Sequence, residues 1–206
     1  MTSGALAVLS DDRDKVTAAR ASVSTGTREA FDVLVDRYHA PLLQYLTRQT
    51  GHPELAADLT QETFLAAFRC LDQLADDGAF AAWLYGIARN ELRMEWRRRR
   101  LRRLVSLDWL PALLERDTSA LRLPDTSQHC EESDGIQRAL DCLSPPLREA
   151  LLLHSLGGFS GEEVARILGI SPAAARKRIS RAAAEFRRQY NDGAEHHGSN
   201  ELPVSG

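Results

Sequence analysis

The sequence predicts an all-α protein built as two small helical domains joined by a flexible linker. Three observations carry that expectation. Apolar residues recur at three- and four-residue spacing through residues 27–103 and again through 134–190. No stretch shows the two-residue alternation, flanked by hairpin turns, that marks paired strands. Between the two periodic blocks, residues 104–133 change character. They hold Pro111, Pro124 and a cluster of Asp, Ser and Thr around one short apolar patch, 105–114, a composition typical of a connector.

Residues 1–26 are rich in Ser, Thr, Ala and Asp without sustained periodicity and read as a mobile arm. Thr27 is suited to cap a helix that aligns Phe31, Leu34, Val35, Tyr38, Leu42, Leu43 and Leu46. Pro41 lies inside that pattern and is expected to kink or divide it, because it has no N–H to donate. Gly51-His52-Pro53 makes a turn. A second helix over 53–71 offers Leu55, Leu59, Phe64, Leu65 and Phe68 as buried candidates. After a polar loop at 72–78, a third helix starts near Ala79 and carries Phe80, Trp83, Leu84, Ile87, Ala88, Leu92 and Trp96. It runs into residues 97–103, which are arginine except for Leu101. The second domain reads as four helices, 135–143, 145–156, 160–168 and 172–190. Residues 191–206, rich in Gly, Ser, Asn and His, read as a disordered tail.

The last two helices form the most specific local pattern. Ser160 can cap the first, with Glu163 as its capping-box partner, while Val164, Ile167 and Leu168 share a face beside the small Ala165. Gly169 stands where the helix must stop, since glycine enters the left-handed conformation without a Cβ penalty. Ile170 plugs the turn, Ser171 caps the next helix, and Pro172 takes its first position. That helix carries Arg176, Lys177, Arg178 and Arg181. A helix-turn-helix with a basic second helix suits a DNA major groove, the alternative being an ordinary helical hairpin.

Composition narrows the function classes. A formal net charge of -3 in 206 residues excludes a uniformly basic nucleic-acid binder, yet the charge is segregated between the arginine run and the acidic stretch 108–134. No window approaches the roughly 18 apolar residues of a membrane span, and residues 1–20 lack a signal-peptide core, so a cytoplasmic location without membrane insertion is expected. Cys70, Cys130 and Cys142 form no CxxC pair and suit reduced thiols. His129-Cys130 beside Glu131 and Glu132 does not supply the paired ligands of a tetrahedral metal site. With no nucleophile–base set and no Gly-rich phosphate loop, neither catalysis nor a cofactor is expected.

Two further constellations point to partners. Asp58, Gln61 and Glu62 project from one face of the second helix, a surface usable for docking a basic helix, or simply a solvated face. The third helix interleaves Trp83, Tyr85, Asn90, Arg93, Trp96 and Arg97, a mixture that can neutralise phosphates and stack on splayed bases. Trp83 falls on the apolar side with Phe80 and Ile87 and reads as core; an arginine run can also be a solvated or membrane-surface segment.

Ala57-Asp-Leu-Thr-Gln-Glu-Thr-Phe-Leu-Ala-Ala-Phe-Arg69 and Phe80-Ala-Ala-Trp-Leu-Tyr-Gly-Ile-Ala-Arg-Asn90 resemble region 2 of the sigma-70 superfamily. Leu143-Ser-Pro-Pro-Leu-Arg-Glu-Ala-Leu151 with the helix-turn-helix resembles region 4. The resemblance spans about residues 27–190, and with nothing like region 3 between the blocks it is to the small extracytoplasmic-function (ECF) RNA polymerase sigma factors. It implies that Asp58, Gln61 and Glu62 grip the clamp helices of the polymerase β′ subunit, with the β flap as a second contact. It places Arg89, Asn90, Arg93 and Arg97 at the opened, single-stranded −10 element and gives the loop 72–78 a flipped base. Arg176, Lys177, Ser180 and Arg181 would face the double-stranded −35 element, and an anti-sigma factor is implied as a further partner. One departure concerns the −35 sequence: Ala173-Ala-Ala175 stands where many relatives have Gly-Thr-Val. Two rivals remain open on the residues alone, a stand-alone helix-turn-helix regulator and a nucleic-acid-processing enzyme with a DNA-binding tail.

Overall fold

The structure, a computed structural model, describes residues 13–25, 29–105 and 135–198. Eight α-helices account for most of them: α1 (Arg13–Thr25), α2 (Glu29–Thr50), α3 (Pro53–Cys70), α4 (Phe80–Val105), α5 (Gly135–Asp141), α6 (Pro145–Ser155), α7 (Gly161–Leu168) and α8 (Pro172–Gly198). Short 3-10 turns at Leu71–Gln73 and Asp77–Ala79 overlap the two ends of the predicted polar loop. No strand occurs among the described residues. The expected linker from residue 106 onward, with His129 and Cys130, lies outside them, as do 1–12, 26–28 with the expected cap Thr27, and 199–206.

Helices α1–α4 form the first domain, α2 packing on both α1 and α3, and α3 on α4. The apolar stripe of α2 is buried as its spacing requires: Phe31, Leu34, Tyr38, Leu42 and Leu46 are all at most 5% exposed. Phe31 meets Phe68 edge-on at 5.2 Å, and Tyr38 meets Phe80 at 5.3 Å. Thr60 and Thr63 are buried on α3, and their hydroxyls donate to the carbonyls of Ala56 (2.7 Å) and Leu59 (2.6 Å), so neither is left unsatisfied. Pro41 does not divide α2, which continues through it. Its exposed position and the buried Tyr38 and Leu42 beside it explain how packing outweighs one missing hydrogen bond.

Three further expectations are corrected here. Part of the supposed mobile arm is helix α1, docked through the fully buried Val16 and Ala19. Two small apolar residues leave no periodic signature, yet burying the valine alone contributes about 1.5–3 kcal/mol. The Arg20 guanidinium donates to the Leu74 carbonyl, and Arg13 pairs with Asp76 at 3.3 Å, so α1 also braces the loop before α4. Leu65, expected to be buried, is 42% exposed, because it falls on the polar side of α3. The tail expected from residue 191 continues α8 to Gly198, with no proline to stop it and Ala194 and Glu195 favouring helix.

Helices α5–α8 form the second domain around Leu140, Leu143, Leu147, Leu151, Leu153, Phe159, Val164 and Leu168. The predicted caps are present. The Glu163 N–H donates to Ser160 Oγ (3.3 Å), and the Ser160 N–H donates to Glu163 Oε2 (2.9 Å). Gly169 adopts φ 66°, ψ 39°, and the Ala174 N–H donates to Ser171 Oγ (3.2 Å). At Gly157 a Cβ would lie 2.6 Å from both the Leu153 carbonyl oxygen and the Phe159 ring. Gly157→Ala is therefore expected to destabilise the protein by about 1–3 kcal/mol, read as a lower denaturant midpoint with an unchanged slope.

The two domains touch. Helix α6 lies against α2, and α7 against α4. Tyr85 of α4 packs edge-on against Phe159 at 4.9 Å and against Tyr45 at 5.1 Å, all three at most 2% exposed.

Candidate nucleic-acid interface

Three solvent-facing surfaces carry the predicted site residues. On α3, Asp58, Gln61 and Glu62 are exposed, and with Leu65 they fall within an arc of about 100° at 3.6 residues per turn. The face is thus acidic with an apolar centre rather than purely polar. The sequence pattern pairs Leu65 with its neighbour Phe64 as buried, yet Phe64 is 7% exposed and Leu65 42%.

Asn90, Arg93 and Arg97 are exposed on α4 and share an arc of about 60°. Their neighbours on the arginine run are partly neutralised. Glu95, only 15% exposed, takes Arg99 at 2.8 Å and Arg102 at 3.0 Å, with Arg98 at 4.0 Å. Arg89 stands apart from its predicted group. Its Nε donates to Glu149 Oε1 of α6 at 2.7 Å, and both side chains are about four-fifths buried. Of the aromatic residues interleaved on this helix, Tyr85 is enclosed against Phe159, and Trp83, read as core, is half-buried against Phe80 at 5.9 Å. Trp96 is also half-buried, its indole N–H enclosed. The polar group of this face is therefore Asn90 with its two arginines.

The loop 71–79 is shaped by Asp76, whose Oδ1 accepts from the Gly78 N–H at 3.0 Å while Arg13 holds it from α1. On α8, Arg176, Lys177, Ser180 and Arg181 are exposed along an arc of about 140°, while Ala175 and Ala182 are fully buried behind them. Ala174, at the threonine position of the Gly-Thr-Val pattern, is half-buried beside this face and has a methyl group in place of the hydroxyl. The buried phenols at the domain boundary are no acid–base groups. Burial, reinforced at Tyr45 by nearby Glu149, pushes both Tyr45 and Tyr85 far above the ordinary phenol range, so both are neutral at physiological pH. Among the described residues no cluster of three or more His, Cys, Asp or Glu could hold a metal ion. No described helix is long and apolar enough to cross a membrane.

Comparison with known proteins matches this architecture domain by domain. Residues 34–102 match Sigma-70 region 2, and residues 133–185 match Sigma-70 region 4. The chain is 34% identical to the RNA polymerase sigma factor CnrH of Cupriavidus metallidurans, over 85% of this chain and 93% of that protein. It is 32% identical to the ECF RNA polymerase sigma factor SigE of Mycolicibacterium smegmatis, over 84% of this chain and 68% of that protein. Among solved structures, CnrH in complex with the cytosolic domain of CnrY is similar with a TM-score of 0.61 and 30% identity, covering 88% of this chain and 97% of that one. The sigma factor RpoE of Bartonella quintana, in complex with the anti-sigma factor NepR, gives 0.60 and 26% identity over 78% and 96%. Two sigma regions in order, on a helical scaffold that carries an acidic face and two basic ones, place the chain in the sigma-70 family, as an ECF RNA polymerase sigma factor.

Proposed function

We propose that the α3 face docks on the β′ clamp helices of core RNA polymerase, that Asn90, Arg93 and Arg97 hold the opened −10 strand, and that α8 reads the −35 duplex. The observation that supports this division of labour is the placement of three exposed faces on three separate helices, one acidic and two basic. An acidic helix face complements a basic partner helix, whereas phosphate-rich DNA favours the other two. The chain acts in the cytoplasm as a binding protein, and the polymerase performs the chemistry. An anti-sigma factor is its regulatory partner, in keeping with the complexes formed by the CnrH and RpoE relatives. Run-off transcription on pooled genomic promoters tests the reading: core polymerase alone should give no specific start sites, and adding this protein should give a defined set sharing −10 and −35 elements. A stand-alone regulator would bind promoters without core and would not confer initiation.

On α8 the reading makes a residue-level prediction. Arg176→Ala and Arg181→Ala should each lose about 1–3 kcal/mol of discrimination between the preferred −35 sequence and its point variants. The check is a competition titration across single-base variants. Uniform weakening on every sequence, with a shallower salt dependence, would make them phosphate contacts instead.

A further inference from the structure

The basic face of α8 does not stop at the residues assigned to the −35 duplex. Helix α8 has 27 residues, about 40 Å at 1.5 Å per residue, whereas a recognition helix contacts base edges mainly through its N-terminal turns. Two exposed arginines, Arg187 and Arg188, follow on the same side. At 3.6 residues per turn Arg187 falls about 20° from Arg176, and Arg188 about 20° from Arg181, so both lie within the arc already described. The pair repeats Arg176-Lys177 after about three turns. Ala184, exposed between these lines, adds no bulk that would lift the helix from a surface. The nearby carboxylates are turned aside: half-buried Glu185 lies about 180° from Arg176, and Asp192 about 160°.

This stretch is a packed part of the domain rather than a frayed end. On its inner side Phe186 packs against the core and stacks on Tyr190 at 6.0 Å. Tyr190 in turn reaches the start of α5, its ring 3.6 Å from where a Cβ on Gly135 would lie. The packing of α5 on α8 therefore holds Arg187 and Arg188 at a fixed distance from Arg176 and Arg181. That distance decides what they can touch. From the middle of the base-reading residues to the arginine pair is about 13.5 Å along the helix axis. The major groove is about 12 Å wide, and a straight helix cannot follow it as it winds round the duplex. Beyond the bases that it reads, the helix meets the phosphate ridge that borders the groove. Arginine matches phosphate there by charge and by its two-pronged geometry.

We propose that Arg187 and Arg188 form a second DNA contact on α8, an anchor on backbone phosphates flanking the −35 element that adds affinity without reading sequence. The inference rests on the placement of α8 at the −35 duplex proposed above. It divides the helix into an N-terminal half that selects bases and a C-terminal half that fixes register on the backbone.

The test uses the full-length protein in holoenzyme, with Arg187→Ala and Arg188→Ala combined, on duplex promoter DNA. Each phosphate contact contributes about 0.9 to the slope of log affinity against log salt, so the double variant should have a slope shallower by about 1.8. Raising salt from about 50 to about 200 mM should then cost it about 12-fold less affinity than it costs wild type. Discrimination among −35 base variants and affinity for core polymerase should be unchanged. Uncharged methylphosphonate linkages just outside the −35 element should weaken wild type and leave the double variant as it is. Arg187→Lys with Arg188→Lys should keep the wild-type slope, since the charge is kept. A double-alanine variant with the wild-type slope overturns the anchor. So does loss of base discrimination or of core affinity, which would make the pair base readers or a polymerase contact. Loss of slope in the lysine variant would overturn it too, by tying the effect to packing rather than charge. If Arg176→Ala and Arg181→Ala also leave −35 binding unchanged, the failure lies with the placement of α8 on DNA itself.

Discussion

Replacing Asp58, Gln61 and Glu62 together with alanine should abolish stable binding to core polymerase while leaving the helical CD spectrum unchanged. All three are exposed on α3, and the inward positions Leu59, Thr63 and Phe64 hold the helix to its domain without them. Alanine is the strongest helix former, so the substitution does not weaken α3. Central interface residues each cost about 2 kcal/mol or more on truncation, so the triple change should lose over 100-fold in affinity. Leu65→Ser should add to the loss, since the leucine sits at the apolar centre of the face, where exclusion of water matters most. Fluorescence titration against core polymerase reads the affinity, and −35 duplex binding by the second domain serves as the control for folding. Wild-type affinity in the triple variant would remove the docking role from this face.

The parts of this molecule that were legible in the sequence are those encoded locally. The Ser160–Glu163 capping box, the left-handed Gly169 and the Ser171 cap each leave a residue-type signature within four positions, and all are present as read. The stripe of α2 and the exposed face of α3 follow equally from helical spacing. Helix α1 escaped because Val16 and Ala19 bury too little to stand out in a polar stretch. Leu65 escaped because hydrophobicity alone was taken to mean burial, although its register with Asp58 and Glu62 placed it outward. Least legible was the seam between the domains. Arg89 and Glu149 lie 60 residues apart, and Arg148 and Gln49 lie 99 apart. Each looks like an ordinary solvated polar residue until the fold brings it to its partner. The same gap explains why Arg89 was grouped with Asn90 on sequence: adjacent positions on a helix differ by about 100° in direction, enough to send one to solvent and the other to α6.

Asn90→Ala should separate recognition from opening. Asn90 is exposed on α4, within the same arc as Arg93 and Arg97 and away from the buried Leu84 and Ala88. Its amide both donates and accepts, which suits the edge of an unstacked base; the flanking guanidinium groups suit phosphate. Duplex DNA hides that base edge, so the contact forms only as the strand opens and contributes to opening rather than to initial docking. Holoenzyme carrying Asn90→Ala should retain −35-dependent binding, yet lose permanganate-reactive thymines around the −10 element, with run-off transcription falling roughly 10-fold or more, as expected for about 1.4 kcal/mol or more of lost stabilisation. A template with a pre-opened bubble should restore most of the signal, because unpairing and unstacking, worth a few kcal/mol per flipped base, is then already complete. Arg93→Ala should behave differently, weakening open complexes on both templates in a salt-dependent manner, since a phosphate contact is needed however the strand came to be open. Should the Asn90 variant melt linear promoter DNA as well as wild type, the amide is a surface group without a role in opening. The base-holding function would then pass to the loop that Asp76 shapes and α1 braces.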